Sequence, residues 1–140
     1  MSIQHRSWIR STLSMAAFGI ALAGISASAA TPPTNTSGET AKLLASLNLG
    51  PEIPGMEGRM MRAVYIVLAP GAVTAAHSHD QRPEIIYVLK GVVTEYQDRE
   101  GRTFVAHPAG EAFSAGKDRF HWFENKTAEA VTMLAVQIAK

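Results

Sequence analysis

The sequence predicts an all-β fold, a sandwich or small barrel of short strands. Runs of β-branched and apolar residues recur along the chain with turn signals between them. Beyond the first thirty residues, no stretch keeps helical periodicity over three turns. Apolar residues make up 46% of the 140-residue chain, with 11 glycines and 7 prolines, so one packed core is feasible and wholesale disorder is not expected.

The elements follow in order. Residues 41–50 (AKLLASLNLG) read as a short helical turn or an early strand. Residues 59–68 (RMMRAVYIVL) are a strand that Pro70-Gly71 stops. Residues 84–89 (EIIYVL) are the next, stopped by Lys90-Gly91, and 92–97 (VVTEYQ) follow at once. Residues 98–101 turn the chain into a short strand at 102–106, which Pro108-Ala109-Gly110 closes. Residues 121–125 and 130–138 are the last two strands.

Two segments precede this domain. Residues 1–30 combine a basic head (Arg6, Arg10), an apolar run at 15–25 and a small-residue exit at Ala27-Ser28-Ala29. That is the pattern of a secretory signal peptide. The apolar run is short of the ~20 residues needed to span a bilayer. Export to a bacterial periplasm is therefore expected, with no membrane association after cleavage. Cleavage would remove two arginines and no acid, leaving 11 basic residues against 12 acidic ones. A polar lead-in, TPPTNTSGET and a few residues more, is expected to be flexible over 31–45, with the folded domain at 46–140.

A formal net charge of +1 gives no case for nucleic acid as a partner. The absence of cysteine excludes disulfides and thiolate metal sites.

The chain has 5 histidines, and two of them stand in GAVTAAHSHDQRPE, residues 71–84. In an extended segment residues i and i+2 point the same way, so His77 and His79 project together. Pro83 favours extended geometry at its neighbour, and the turn DQRP can bring Glu84 back over the two rings. His121 is the candidate for a fourth ligand, because it opens a strand flanked by aromatic residues. His107 is the spare, beside Pro108 at a turn, where a solvent-facing ring is expected. His5 leaves with the leader. Among all-β forms, a double-sheet jelly roll encloses an interior able to hold a metal.

These residues resemble the motifs of the cupins. The first motif is Gly, five residues, His-x-His, three or four residues, Glu, six residues, Gly. Gly71, His77, His79, Glu84 and Gly91 occupy every place. The second motif is Gly, five residues, Pro-x-Gly, two residues, His, three residues, Asn. Gly110, His121 and Asn125 fill theirs, while Gly116 stands in the Pro place and Asp118 in the second Gly place. Asp tolerates a left-handed conformation better than most residues, so a turn before His121 is still expected.

The resemblance implies a double-stranded β-helix, the jelly-roll barrel, over about residues 59–140. It also implies one metal held by His77, His79, Glu84 and His121, and a homodimer. Three imidazoles and a carboxylate suit a divalent first-row ion, Mn, Fe, Ni, Cu or Zn. Four ligands leave open positions for water, substrate or dioxygen.

Parity places the neighbours. Ile86 and Val88 share the side of Glu84 and should line the interior; Tyr87 faces the other way, between sheets or subunits. Phe123 shares the side of His121, as pocket wall or core, while Trp122 is buried elsewhere. The resemblance implies a structural role for Asn125. Met60, Met61 and Met133 are core fillers before they are copper ligands. Arg62 and Gln97 are not placed, since parity is unreadable where both faces are apolar.

The fold does not give the function. The first reading is an exported metalloenzyme acting on a small molecule, such as a dioxygenase, with Glu84 as candidate acid or base. The alternative is a non-enzymatic periplasmic module that binds a metal or small ligand. Pocket content separates them, because an enzyme needs a cavity beside the metal with polar groups aimed into it.

Overall fold

The computed structural model describes residues 29–140. The leader expected over 1–30 lies, but for its last two residues, outside them. There is no helix among the described residues, and so none long and apolar enough to cross a membrane. The strands are β1 (Ser37–Asn48), β2 (Met60–Val73), β3 (His77–Ser78), β4 (Glu84–Lys90), β5 (Val92–Tyr96), β6 (Phe104–Pro108), β7 (Ala112–Ala115), β8 (Phe120–Glu124) and β9 (Val131–Ala139).

All pairings are antiparallel, in the order β6-β5-β8-β2-β9-β4-β7, with β1 added on β2 and β3 on β8. The sheet curls on itself so that β2, β9, β4 and β7 face β5, β6 and β8. This is the jelly roll expected from the sequence. The core between the two halves is Leu68, Ala72, Ile86, Val88, Val93, Phe123, Val131, Met133 and Ala135. Ile86 and Val88 point inward as their parity requires, and Tyr87 points outward, 41% exposed. Met133 is a core filler, whereas Met61 is exposed on the outer face.

β2 does not stop at Pro70-Gly71. Up to Leu68 it pairs with β9, and at Val73 it pairs with β8. Gly71 adopts φ 73°, so the pair forms a corner where the strand passes from one half of the sheet to the other. Asn125 holds this corner. Its amide donates to Leu68 O and Ala69 O at 3.0 Å and to Glu129 O at 2.8 Å, and its Oδ1 accepts from Thr127 N and Oγ1. The structural role expected of Asn125 is thus visible in its contacts.

The expected lead-in over 31–45 is corrected in its second half. β1 begins at Ser37 and runs along β2, from Ser37 opposite Val73 to Asn48 opposite Met60. Its side chains are exposed at all but one position. Backbone pairing to the edge of β2 forms the strand, so it needs no apolar face. The register slips between Leu43 and Ala45, where one extra residue changes the side on which later residues point.

A tight turn at Gly91, the last place of the first motif, joins β4 to β5. Gly91 has φ 84°, and a Cβ there would stand 3.0 Å from Val131 Cγ2. Before His121, Asp118 takes φ 69°, the only non-glycine among the described residues at positive φ. Its amide is capped by Asp80 Oδ1 at 3.0 Å. Asp supplies the left-handed turn expected at that place.

Candidate metal centre

His77 on β3 and His121 on β8 are direct cross-strand partners. His79 lies two residues beyond His77 on the same side, and its amide N–H reaches Arg119 O at 3.0 Å, holding the segment against β8. The Arg82-Pro83 turn then leads into β4, whose first residue is Glu84. Ile138 N donates to Pro83 O at 3.0 Å, which docks the turn on β9. The structure therefore brings together all four side chains expected from the sequence, with donor atoms within 4.8 Å of one another.

The three Nε2 atoms form a triangle: 2.9 Å from His77 to His79, 2.8 Å from His79 to His121 and 3.2 Å from His121 to His77. Glu84 Oε1 lies 3.3 Å from His79 Nε2 and 3.9 Å from His121 Nε2. Each opposite ring nitrogen faces an acceptor. His77 Nδ1 is 2.8 Å from Ala75 O, His79 Nδ1 is 2.6 Å from Arg82 O, and His121 Nδ1 is 2.6 Å from Glu95 Oε1. Those oxygens only accept, so each neutral ring keeps its proton on Nδ1 and presents a bare lone pair at Nε2.

Three lone pairs converging at this distance cannot hydrogen-bond one another, and they repel. A cation between them removes the conflict. Neighbouring donors set at right angles about 2.1 Å from one ion stand about 3.0 Å apart, close to the observed triangle. The residues thus fit a divalent first-row ion.

Protonation agrees with this. Burial lowers the pKa of His77, and it lowers that of His79 to about 4, which keeps both rings neutral as metal ligands must be. Burial raises Glu84 to about 7; Glu95 adds to the rise and Arg82 opposes it. For Glu95 burial acts upward too, but hydrogen bonds from His121, Gln97 and His107 outweigh it and hold the carboxyl down at about 2.

His107 is not solvent-facing. It pairs across the strands with Val93, is 4% exposed and stacks on Phe113 with ring centroids 3.7 Å apart. Pro108 marks the end of β6, one residue later, and the local turn signal misled the reading of the ring's direction. Trp122 is buried away from the site, stacked on Tyr96 at 4.6 Å. Phe123 does double duty, at 4.7 Å from the His121 ring and in the cavity wall.

A half-enclosed cavity of about 290 Å³ opens beside His77 and Glu84. Val64, Ile66, Phe123 and Ala135 form its apolar wall, and Thr36, Glu39, Thr74, Arg82 and Gln137 its polar one. The sequence reading missed these polar groups. Thr36 just precedes β1 and Glu39 lies near its start, both within the expected lead-in, and Gln137 stands opposite Glu84 in the register of β9 on β4. Burial raises the pKa of Glu39. Arg82 also borders a wider, more open hollow with Arg59, Arg62 and Lys140. Among the described residues no carboxylate lies within ion-pair distance of Arg82.

Comparison with known proteins bears on the fold. The chain is similar to the cupin domain of an XRE family transcriptional regulator from Enterobacter cloacae (16% identity, 72% of this chain, 96% of that one, TM-score 0.56). It is similar to the polyketide cyclase RemF from Streptomyces resistomycificus (20% identity, 78% and 70%, TM-score 0.59). A sugar phosphate isomerase of the cupin superfamily from Silicibacter pomeroyi matches at 24% identity, 74% and 60%, with TM-score 0.53. At these identities the likeness is one of fold. No curated protein sequence matches the chain. The family model for the cupin domain matches residues 64–137, more than half of the chain. With the jelly roll and the inward His/Glu cluster, this establishes that the chain belongs to the cupins.

Proposed function

We propose that this cupin is an exported mononuclear metalloenzyme acting on a small polar organic molecule, with His77, His79, Glu84 and His121 holding a divalent ion. One observation carries the reading: three Nε2 lone pairs and a carboxyl converge beside a cavity that is apolar on one wall and polar on the other. When bound, the metal supplies a Lewis acid with positions open to substrate oxygen or dioxygen.

The chain's own groups supply the rest. Phe123, Val64 and Ile66 exclude water from one side of the cavity. Arg82, half-buried and without a carboxylate partner among the described residues, suits a substrate bearing negative charge. Glu84, the one carboxyl of the cluster, also borders the cavity and is the candidate to take or give a proton at Oε1.

Export rests on the leader pattern at 1–30. A homodimer rests on the outer face of the sheet. Leu47, Met61 and Val136, together with Ile85 and Tyr87 on β4, are 38–59% exposed there, and neighbouring strands bring them into one apolar surface. A second copy covering this face would remove it from water.

The test is metal analysis of protein purified from its own host, followed by re-metallation. Oxygen uptake is then measured on phenolic, diketone and carboxylate-bearing compounds with the Fe and Cu forms. Sub-stoichiometric metal with none recovered on re-metallation sinks the metal site. Full metal with no oxygen uptake counts against the dioxygenase form, and no turnover of any kind favours the binding-module alternative.

A further inference from the structure

His121 differs from the other two rings in what stands behind it. His77 and His79 are oriented by backbone carbonyls, Ala75 O and Arg82 O. His121 is oriented by a carboxylate, Glu95 Oε1 at 2.6 Å. Glu95 lies on β5, opposite Phe123 on β8, so its side chain points inward beside the ring. The carboxylate is itself held. Gln97 Nε2 donates to Oε2 at 2.6 Å, and His107 Nε2 lies 3.1 Å from the same oxygen. His107 Nδ1 continues to Glu111 Oε1 at 2.8 Å. The row His121, Glu95, His107, Glu111 runs from the centre outward: side-chain exposure is 0% at His121, 1% at Glu95, 5% at His107 and 40% at Glu111.

A buried carboxylate is a poor way to fill a core. Apolar residues of similar volume pack there at less cost, and a buried ion is tolerated only with its partners in place. None of Glu95, Gln97, His107 and Glu111 lines the cavity, so none is placed to touch a substrate there. What Glu95 does touch is the Nδ1 edge of His121. An acceptor there fixes the proton on Nδ1, leaves Nε2 free and makes that nitrogen a stronger donor to a metal.

We propose that Glu95 is a positioning residue of the metal centre, acting through His121 and kept in place by Gln97 and by His107 with Glu111 behind it. This rests on the metal-site reading above, and the experiment separates the two.

The metal-free protein, ¹⁵N-labelled, is examined first by NMR. The His121 ring is expected in the Nδ1–H tautomer in the parent chain and as a mixture of tautomers in Glu95→Gln. Cobalt(II) affinity is then measured by competition with a chromophoric chelator, together with the visible absorption of the bound ion. Glu95→Gln should bind cobalt(II) about 10–100-fold more weakly, with a changed visible spectrum. His107→Gln, one hydrogen bond further out, should lose less in the same direction. His107→Gln also carries the test if Glu95→Gln does not fold. A merely structural role would lower the melting temperature of the metal-free variant and leave cobalt affinity and spectrum of the folded protein alone. A parent chain that binds no cobalt(II) overturns the metal-site reading and this proposal with it. A parent chain that binds, with variants that bind equally well, overturns the role of Glu95 alone. An Nε2–H tautomer of His121 in the parent chain does the same.

Discussion

Replacing Glu84 by Gln should make the metal-free protein gain stability relative to the parent as pH rises, while weakening its hold on metal. Burial raises the Glu84 carboxyl from 4.5 to about 7. At about 1.4 kcal/mol per pH unit, that shift is worth about 3 kcal/mol between the two protonation states. Because the folded-state value lies above the unfolded one, the folded chain holds the proton more tightly. The stability this confers is fully present below 4.5 and is lost as pH rises through about 7. Gln has nothing to lose over that range. Urea denaturation of chelator-treated protein at about pH 4 and about pH 8 gives the comparison, and other titrating groups cancel between parent and variant. Relative to its advantage or deficit at the lower pH, the variant should gain about 3 kcal/mol at the higher one. Cobalt(II) affinity of the same variant should fall, since the only carboxylate of the cluster is gone. A stability difference that does not change with pH would falsify the argument that Glu84 is ionised at a cost in the empty site.

Adding a divalent first-row ion at about 100 times its dissociation constant should stabilise the fold by about 2.7 kcal/mol, or about 10 °C in a thermal scan, and a chelator should reverse it. No shift with any of the five ions would count against the site. Asn125→Ala should cost about 4 kcal/mol in urea denaturation, about one for each of the two N–H protons and two lone pairs that its buried amide spends on five contacts. A loss below about 1 kcal/mol would mean that the corner holds without it. Ile85→Lys combined with Val136→Lys places two charges at cross-strand neighbours on the apolar outer face. Sedimentation should show a dimer for the parent chain and a monomer for the double variant; a monomeric parent chain refutes the docking of a second copy.

Much of the site was legible because strand parity is a local property. His77 and His79 at i and i+2, Glu84 opening a strand and His121 among aromatics could each be assigned a side without knowing the pairing. The groups that escaped depend on pairing. Glu95 stood alone in VVTEYQ, and only its place opposite Phe123 shows that it faces His121. A lone acid at the same parity as the core residue Val93 was the available signal. His107 had the opposite problem, since its neighbour Pro108 spoke of a turn while its cross-strand partner Val93 draws the ring inward. β1 was legible only as one of two alternatives over 41–50, and its start at Ser37 not at all, because an exposed strand laid on an edge needs no apolar pattern. β7 (AFSA) has too little bulk to register as a run. Pro70-Gly71 looked like a stop because a corner inside a strand and the end of one use the same residues.

β4 carries two surfaces on one strand. Glu84, Ile86 and Val88 face the metal cluster and core; Ile85, Tyr87 and Leu89 face outward. With a side-chain period of two, a one-residue insertion or deletion near its start would exchange the sets, turning the carboxylate outward and an isoleucine toward the histidines. The reading frame of this strand is therefore shared by the His/Glu cluster and the apolar outer face. Evolution can tune either surface by substitution, but a change of length at this point strikes both at once, and engineered loop grafts before β4 must preserve residue count as strictly as residue identity.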